Sequence, residues 1–252
     1  MFSQDDTQHL AQITLAGEPI RYVAPPGLPA VGGGDAAMAL CARLVVPGES
    51  DRILLLGCGH GALGVALARA ARCGRVILHD PNLIALGAAR QSLALNHAAN
   101  ADISAEVTHL PGLVGQFDRV VVLGPQSRAL ARRWLLEALA LLRPGGTLNL
   151  AGANQTGVQS LIADAAALFG ATATLGVGKG CRVAQAIRPP DPPAPPAWAG
   201  QAGVALGSWH RVQAQLPTGC YELYSLPGVF SSQHLDVGTA LLLASLPLPA
   251  GA

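Results

Sequence analysis

The run Ile53-Leu54-Leu55-Leu56 passes directly into Gly57-Cys58-Gly59-His60-Gly61. Consecutive large apolar residues leave no polar face, so this run reads as a strand buried on both sides. Such a strand needs helices covering both faces of its sheet. Alternating glycines immediately after it make a turn whose backbone reaches left-handed angles and lets a ligand or a helix come close. The next apolar run ends at Asp80, about twenty residues on, where a carboxylate is placed to hydrogen-bond a nucleoside ribose. Gly57, Gly59, Gly61 and Asp80 are therefore the candidate cofactor-binding residues. A plainer reading stays open beside it: the glycines pack helix on strand, and Asp80 caps the helix that Pro81 opens.

The rest of the chain fits the demand for covered strands. Apolar runs predict strands at Arg52–Leu56, Val76–Leu78, Ile103–Val107, Arg119–Leu123 and Thr147–Leu150. Helical patterns fall between them, over Ala36–Leu44 with Asp35 as N-cap, Leu63–Ala71, Pro81–Asn96, Arg128–Leu142 and Val158–Phe169. Arg143-Pro144-Gly145-Gly146 stops the fourth of these. Ala171–Gly176 and Cys181–Ile187, joined by a glycine-rich turn, read as a hairpin. The expectation is an α/β, Rossmann-like fold: a mostly parallel sheet with an antiparallel hairpin at its end. Residues 8–30, with Pro25, Pro26 and Pro29, read as an irregular lead-in.

Pro189, Pro190, Pro192, Pro193, Pro195 and Pro196 interrupt this pattern with a stiff, extended stretch. Beyond it the chain repeats its own start. His9 matches His210, Gln12 matches Gln213, and Leu15 matches Leu216. Pro26-Gly27 matches Pro227-Gly228, Asp35 matches Asp236, and Ala39-Leu40 matches Ala240-Leu241. Every pair is separated by 201 residues, without a gap. The expected organisation is a complete domain over 1–188, a linker over 189–198, and the opening of a second, truncated domain over 199–252. That organisation suits 252 residues, long for one domain and short for two.

Composition narrows the partners. A net charge of +1 carries no global basic field of the kind that marks many nucleic-acid binders. A hydrophobic fraction of 50% with 12% charged residues excludes a disordered chain. Five cysteines without a C-x-x-C pair indicate neither a disulfide framework nor a zinc site, so no metal is expected. The start, MFSQDDTQHL, lacks a basic segment followed by an apolar run, and the apolar stretch near the C-terminus is broken by Pro247 and Pro249. The expectation is a cytoplasmic protein with no membrane partner.

Gly57-x-Gly59-x-x-Ala62 also satisfies the dinucleotide fingerprint. The later chain favours another cofactor. G-C-G-H-G after a strand, Phe117-Asp118 before the fourth strand, the R-P-G-G turn and the closing hairpin resemble class I S-adenosylmethionine-dependent methyltransferases. Leu226–Pro247 (LPGVFSSQHLDVGTALLLASLP), with Trp209–Leu216 and Tyr224, resembles the segment before the catalytic fold of the ribosomal RNA small subunit methyltransferase C family. That family joins two methyltransferase-like domains, the second catalytic and the first degenerate. The resemblance implies S-adenosylmethionine as cofactor, small-subunit ribosomal RNA as partner, and methylation of a guanine exocyclic amine.

Departures from the family pattern bear on this chain's own role. Leu55 stands where a catalytic domain carries an acid. The acid expected after the third strand is missing around Thr108 to Leu110. Amino-directed members carry N-P-P-[FY] after the fourth strand, but here the stretch is Leu123-Gly124-Pro125-Gln126. Leucine accepts no hydrogen bond, and glutamine offers no ring to stack on a base. No catalytic residue is therefore assigned, and the implied role is that of a non-catalytic half. The alternative is a nucleotide-binding or scaffolding Rossmann-like module. Among the remaining candidates, Arg128, Arg132 and Arg133 read as a solvated helix face. His60 reads as loop filler, Cys58 as a packing residue, and Asp236 as a helix cap. Phe230 and Asp236 would lie near the cofactor of the second domain.

Overall fold

The computed structural model describes residues 10–26, 28, 35–104, 113–125, 127–216 and 219–245. The chain opens with a hairpin, β1 (Leu10–Leu15) and β2 (Glu18–Val23), followed by α1 (Asp35–Leu44). Then come β3 (Arg52–Leu56), α2 (Ala62–Ala70), β4 (Arg75–His79), α3 (Leu83–Leu95) and β5 (Ala101–Ser104). β6 (Phe117–Leu123), α4 (Arg128–Leu141), β7 (Leu142–Ala153) and α5 (Val158–Phe169) follow, and the hairpin β8 (Ala173–Gly178) and β9 (Cys181–Ile187) closes the series. Beyond the prolines lie a second hairpin, β10 (His210–Leu216) and β11 (Gly219–Ser225), and α6 (Val237–Ser245).

Among the described residues, seven strands form one sheet in the order β5-β4-β3-β6-β7-β9-β8. β5, β4, β3, β6 and β7 are parallel to their neighbours, and β9 and β8 add an antiparallel edge. The apolar run of β3 is buried on both faces, as its pattern requires. Ile53 and Leu55 face one core with Val121 and Leu123, under α1, α2, α3 and the first hairpin. Leu54 and Leu56 face the other with Val120 and Val122, under α4 and α5. Alternate residues of one strand thus supply two cores.

Three expectations change in detail. The lead-in is not irregular throughout, because Leu10–Val23 pairs as a hairpin about Ala16-Gly17. Both turn residues have positive φ, 51° and 85°, the geometry of a two-residue hairpin loop. Alanine is an unusual occupant there, and Pro19 within β2 further obscures the strand in the sequence. β7 begins at Leu142, ahead of the R-P-G-G turn, and the ladder is irregular between Phe117 and Arg119 to take the extra residues in. Asp118 holds that irregularity: it accepts from the backbone N–H of Arg52 at 2.7 Å and from Arg143 at 2.5 Å. The third strand begins at Ala101 rather than Ile103, and residues 105–107, expected to continue it, lie outside the described residues. Thr108 to Leu110, where an acid was sought, lie outside the described residues.

The repeat has a structural counterpart. Leu10 pairs with Val23 and Leu15 with Glu18. Arg211 pairs with Tyr224 and Leu216 with Gly219, the same register at the spacing of the sequence repeat. α6 follows the second hairpin as α1 follows the first.

Candidate functional site

The glycine turn leaves the C-terminal end of β3, beside the central strand pair β3 and β6 where the strand order reverses. Gly57, Gly59 and Gly61 all have positive φ, at 77°, 53° and 84°. Two of them also leave no room for a side chain. A Cβ on Gly57 would lie 2.8 Å from the Leu123 carbonyl oxygen and 3.0 Å from the Trp134 ring. A Cβ on Gly61 would lie 2.8 Å from Ala89 Cα in α3. Strand-to-helix packing alone therefore demands glycine at these two positions.

Asp80 stands just beyond β4, facing the turn, and is 7% exposed. Its Oδ2 accepts from the Gly59 N–H at 3.0 Å, and its Oδ1 accepts from the Asn82 N–H at 3.0 Å. Burial raises its pKa above the ordinary aspartate range, and these two amides offset part of that rise. Asn82, not Asp80, caps α3, accepting from Ile84 and Ala85. Three other amides of the turn are also engaged within the protein. Gly57 and Cys58 donate to the His79 carbonyl at 2.9 and 3.1 Å, and Gly61 donates to that of Cys58 at 2.9 Å. The structure thus brings all four candidate residues together, with Asp80 acting as a latch on the turn.

Neighbouring side chains complete the site. The His60 ring stacks on Tyr22 of β2, with centroids 4.0 Å apart. Cys58 is buried, and burial followed by the nearby Asp80 raises its pKa well above the ordinary thiol value. Leu55 is fully buried in the core under α1 and α2. Leu123 ends β6 with 1% exposure, its side chain in that same core. The Gly124 N–H is given to the Ala151 carbonyl at 2.8 Å. Gln126 lies outside the described residues.

The arginines of α4 divide: Arg128 is exposed as expected, Arg132 is partly buried, and Arg133 is not on a solvated face at all. Arg128 and Arg132 both grip Asp164 of α5, each through two bonds of 2.9 to 3.2 Å. Arg133 is 1% exposed and pairs with Glu137 one turn on. Sequence reasoning missed this, because an arginine that follows two others on a helix carries no local sign of burial. Asp236 caps α6 as expected, accepting from the Thr239 N–H at 3.0 Å, and Phe230 is exposed. The Asp35 side chain lies outside the described residues. Among the described residues no His, Cys, Asp and Glu cluster suits a metal ion, and no helix is long and apolar enough to cross a membrane.

Comparison with known proteins places this geometry. Residues 20–185 match the family model of the methyltransferase small domain. Ribosomal RNA small subunit methyltransferase C of Shewanella amazonensis is 28% identical over 200 residues, 79% of this chain and 53% of that protein. The protein of the same name from Pseudomonas paraeruginosa is 37% identical over 139 residues, 55% of this chain and 39% of that one. The chain spans about half the length, or less, of these curated relatives. A T. thermophilus 16S rRNA N2 methyltransferase, solved with AdoMet and guanosine, has the same fold. It superposes with a TM-score of 0.71 at 24% identity, covering 96% of this chain and 59% of that one. With the family model spanning β2 to β9 and the doubly covered parallel sheet in place, the chain belongs to the methyltransferase small domain family.

Proposed function

We propose that this chain is the non-transferring half of a cytoplasmic small-subunit ribosomal RNA methyltransferase. On this reading residues 1–188 form a methyltransferase-like domain, 189–198 a linker, and 199–252 the opening of a second, catalytic domain that completes the protein. The relatives named above support the substrate class: guanine N2 methylation of small-subunit rRNA.

The observation that carries the reading is the end of β6. Leu123 stands there with its side chain in the core, where an amino-directed enzyme needs an acceptor for the target amine. The cofactor end is a separate matter. S-adenosylmethionine supplies the methyl group when bound, and its ribose needs acceptors at the end of β4. Asp80 is nearly covered and holds one amide on each oxygen, and a second lone pair on each oxygen remains to accept from a ribose hydroxyl. The glycine turn and Asp80 thus keep acceptors for the cofactor, while no step of transfer is assigned to the residues of this domain.

The second unit is supported by paired burial. Ile20 and Leu40 of the first copy are 0% and 6% exposed, packed into its core. Their counterparts Tyr221 and Leu241 are 45% and 68% exposed. These positions have the apolar chemistry of a docked hairpin and helix, and a second sheet with its helices would cover them as the first sheet covers Ile20 and Leu40.

Two measurements test the proposal. Small subunits incubated with this chain and tritiated S-adenosylmethionine should gain no label, and methyl transfer by this chain alone overturns the non-catalytic reading. The reading frame beyond codon 252 should encode a second glycine turn followed by N-P-P-[FY]. A frame without them overturns the tandem reading.

A further inference from the structure

We infer that the outer face of α4 is a clasp that fixes the pose of residues 197–216 and 219–228, with Arg133 as its positioning residue. The prolines suggest a spacer, but the chain does not leave the first domain after them. Trp198, in a short 3-10 turn over Ala197–Gly200, is 9% exposed and lies in the same core as α4 and α5. The Arg132 guanidinium sits 5.0 Å from its ring centroid. Val204 is 2% exposed in that core.

Arg133 holds the turn around and just after Val204. Its Nη1 donates to the carbonyls of Gly203 at 2.7 Å, Ser208 at 3.3 Å and Ala205 at 3.5 Å, while its Nε donates to Glu137. Ser208 closes the turn on itself, accepting from the Gly203 N–H at 2.9 Å. The next contact comes from beyond the second hairpin. Leu226 is buried, and a Cβ on Gly228 would lie 3.0 Å from Leu130 of α4. One helix of the first domain thus touches the segment on both sides of β10 and β11.

A buried ion pair is weak support for stability, because desolvating both charges offsets their attraction. Glu137 registers that desolvation: burial pushes its pKa up to about 7, against the opposing pull of Arg133. What the pair gains here is geometry, since a planar guanidinium aimed at three carbonyls selects one arrangement of the turn. A greasy contact through Val204 and Trp198 alone would slide. Resting on the tandem reading, this pose gains a function: Leu226–Phe230 leads into the second domain's cofactor site, so α4 would set the position of its roof.

The protein carries its own probes for the test. Cys73, between α2 and β4, and Cys220, in β11, are exposed, whereas Cys41, Cys58 and Cys181 are buried. Spin labels on Cys73 and Cys220 report the distance between the two hairpin-bearing parts by double electron–electron resonance. The wild-type chain should give one narrow distribution. The double substitution Arg133→Met with Glu137→Leu removes both buried charges at similar volume and keeps the fold, yet should lose the single narrow peak. Val204→Ser, which leaves α4 untouched, should broaden it as well. A broad wild-type distribution, or a narrow one that survives in both variants, overturns the clasp. Neither result depends on what lies downstream, so the tandem reading stands or falls separately.

Discussion

Gly61→Ala, set against Gly145→Ala, separates the two demands placed on the glycine turn. Both glycines have positive φ, 84° and 77°, so each alanine suffers left-handed strain of about 1–2 kcal/mol. Both also gain the same reduction in unfolded-state entropy, which cancels in the comparison. They differ in their surroundings. A Cβ at position 145 meets nothing within 4 Å. A Cβ at position 61 meets Ala89 Cα at 2.8 Å and its Cβ at 2.9 Å, where carbon atoms at rest stay about 3.5–4.0 Å apart. Helix α3 must then retreat from α2, an overpacking cost of about 1–3 kcal/mol. For a chain of this size each kcal/mol moves the melting midpoint by about 2–4 °C. Thermal melts at neutral pH should therefore place Gly61→Ala several degrees below Gly145→Ala. Equal midpoints would refute the claim that helix packing, rather than backbone angle alone, holds glycine at this position.

Two further expectations concern the carboxylates. Asp80→Asn replaces one acceptor oxygen by an NH2 group, so either Gly59 or Asn82 keeps a buried, unpaired N–H. The cost is about 1–3 kcal/mol, to be read in urea unfolding; an unchanged midpoint would mean that Asp80 does not latch the turn. Burial raises the Asp164 carboxyl, but the bonds and charges of Arg128 and Arg132 more than reverse this, leaving its pKa below the ordinary value. A lowered native pKa contributes stability that is present above the unfolded pKa and is lost as pH falls through the folded one. Asp164→Asn should therefore destabilise the protein at neutral pH, with the gap to wild type narrowing below about pH 4; a constant gap down to pH 2 would contradict the ion-pair account.

Local pattern made the centre of the fold legible. β3 has no polar face and had to be covered on both sides. β6 repeats that pattern, and the glycine turn and Asp80 were found from spacing alone. What stayed hidden depends on contacts far apart in the chain. Trp134 fills the space beneath Gly57 from the opposite face of the sheet. Arg133 is buried because a turn some seventy residues later supplies its acceptors, so its partners could not be read from α4. The first hairpin was lost for a local reason, since Ala16-Gly17 is a poor turn signal although both residues take the turn's angles. Part of the role of Asp80, its hold on the turn, stayed hidden for a third reason. Position at a strand end shows where a carboxylate sits but not which donors have already claimed its oxygens.

These distinctions explain how a glycine turn persists in a domain proposed to have no transfer chemistry. Gly57 and Gly61 are held by the Leu123 carbonyl, Trp134 and Ala89, so replacing them disturbs packing whether or not a cofactor ever binds. Asp80 is held by the amides of Gly59 and Asn82, and serves the turn in the same way. Leu55 and Leu123 are different. At those two positions an enzyme needs polar atoms facing a ligand, whereas a folded sheet gains more from apolar side chains facing the core. Both are leucine, and both are buried. On the proposed non-catalytic reading, the residues that packing requires are kept, while the two positions where chemistry would need polar atoms hold leucines facing the core.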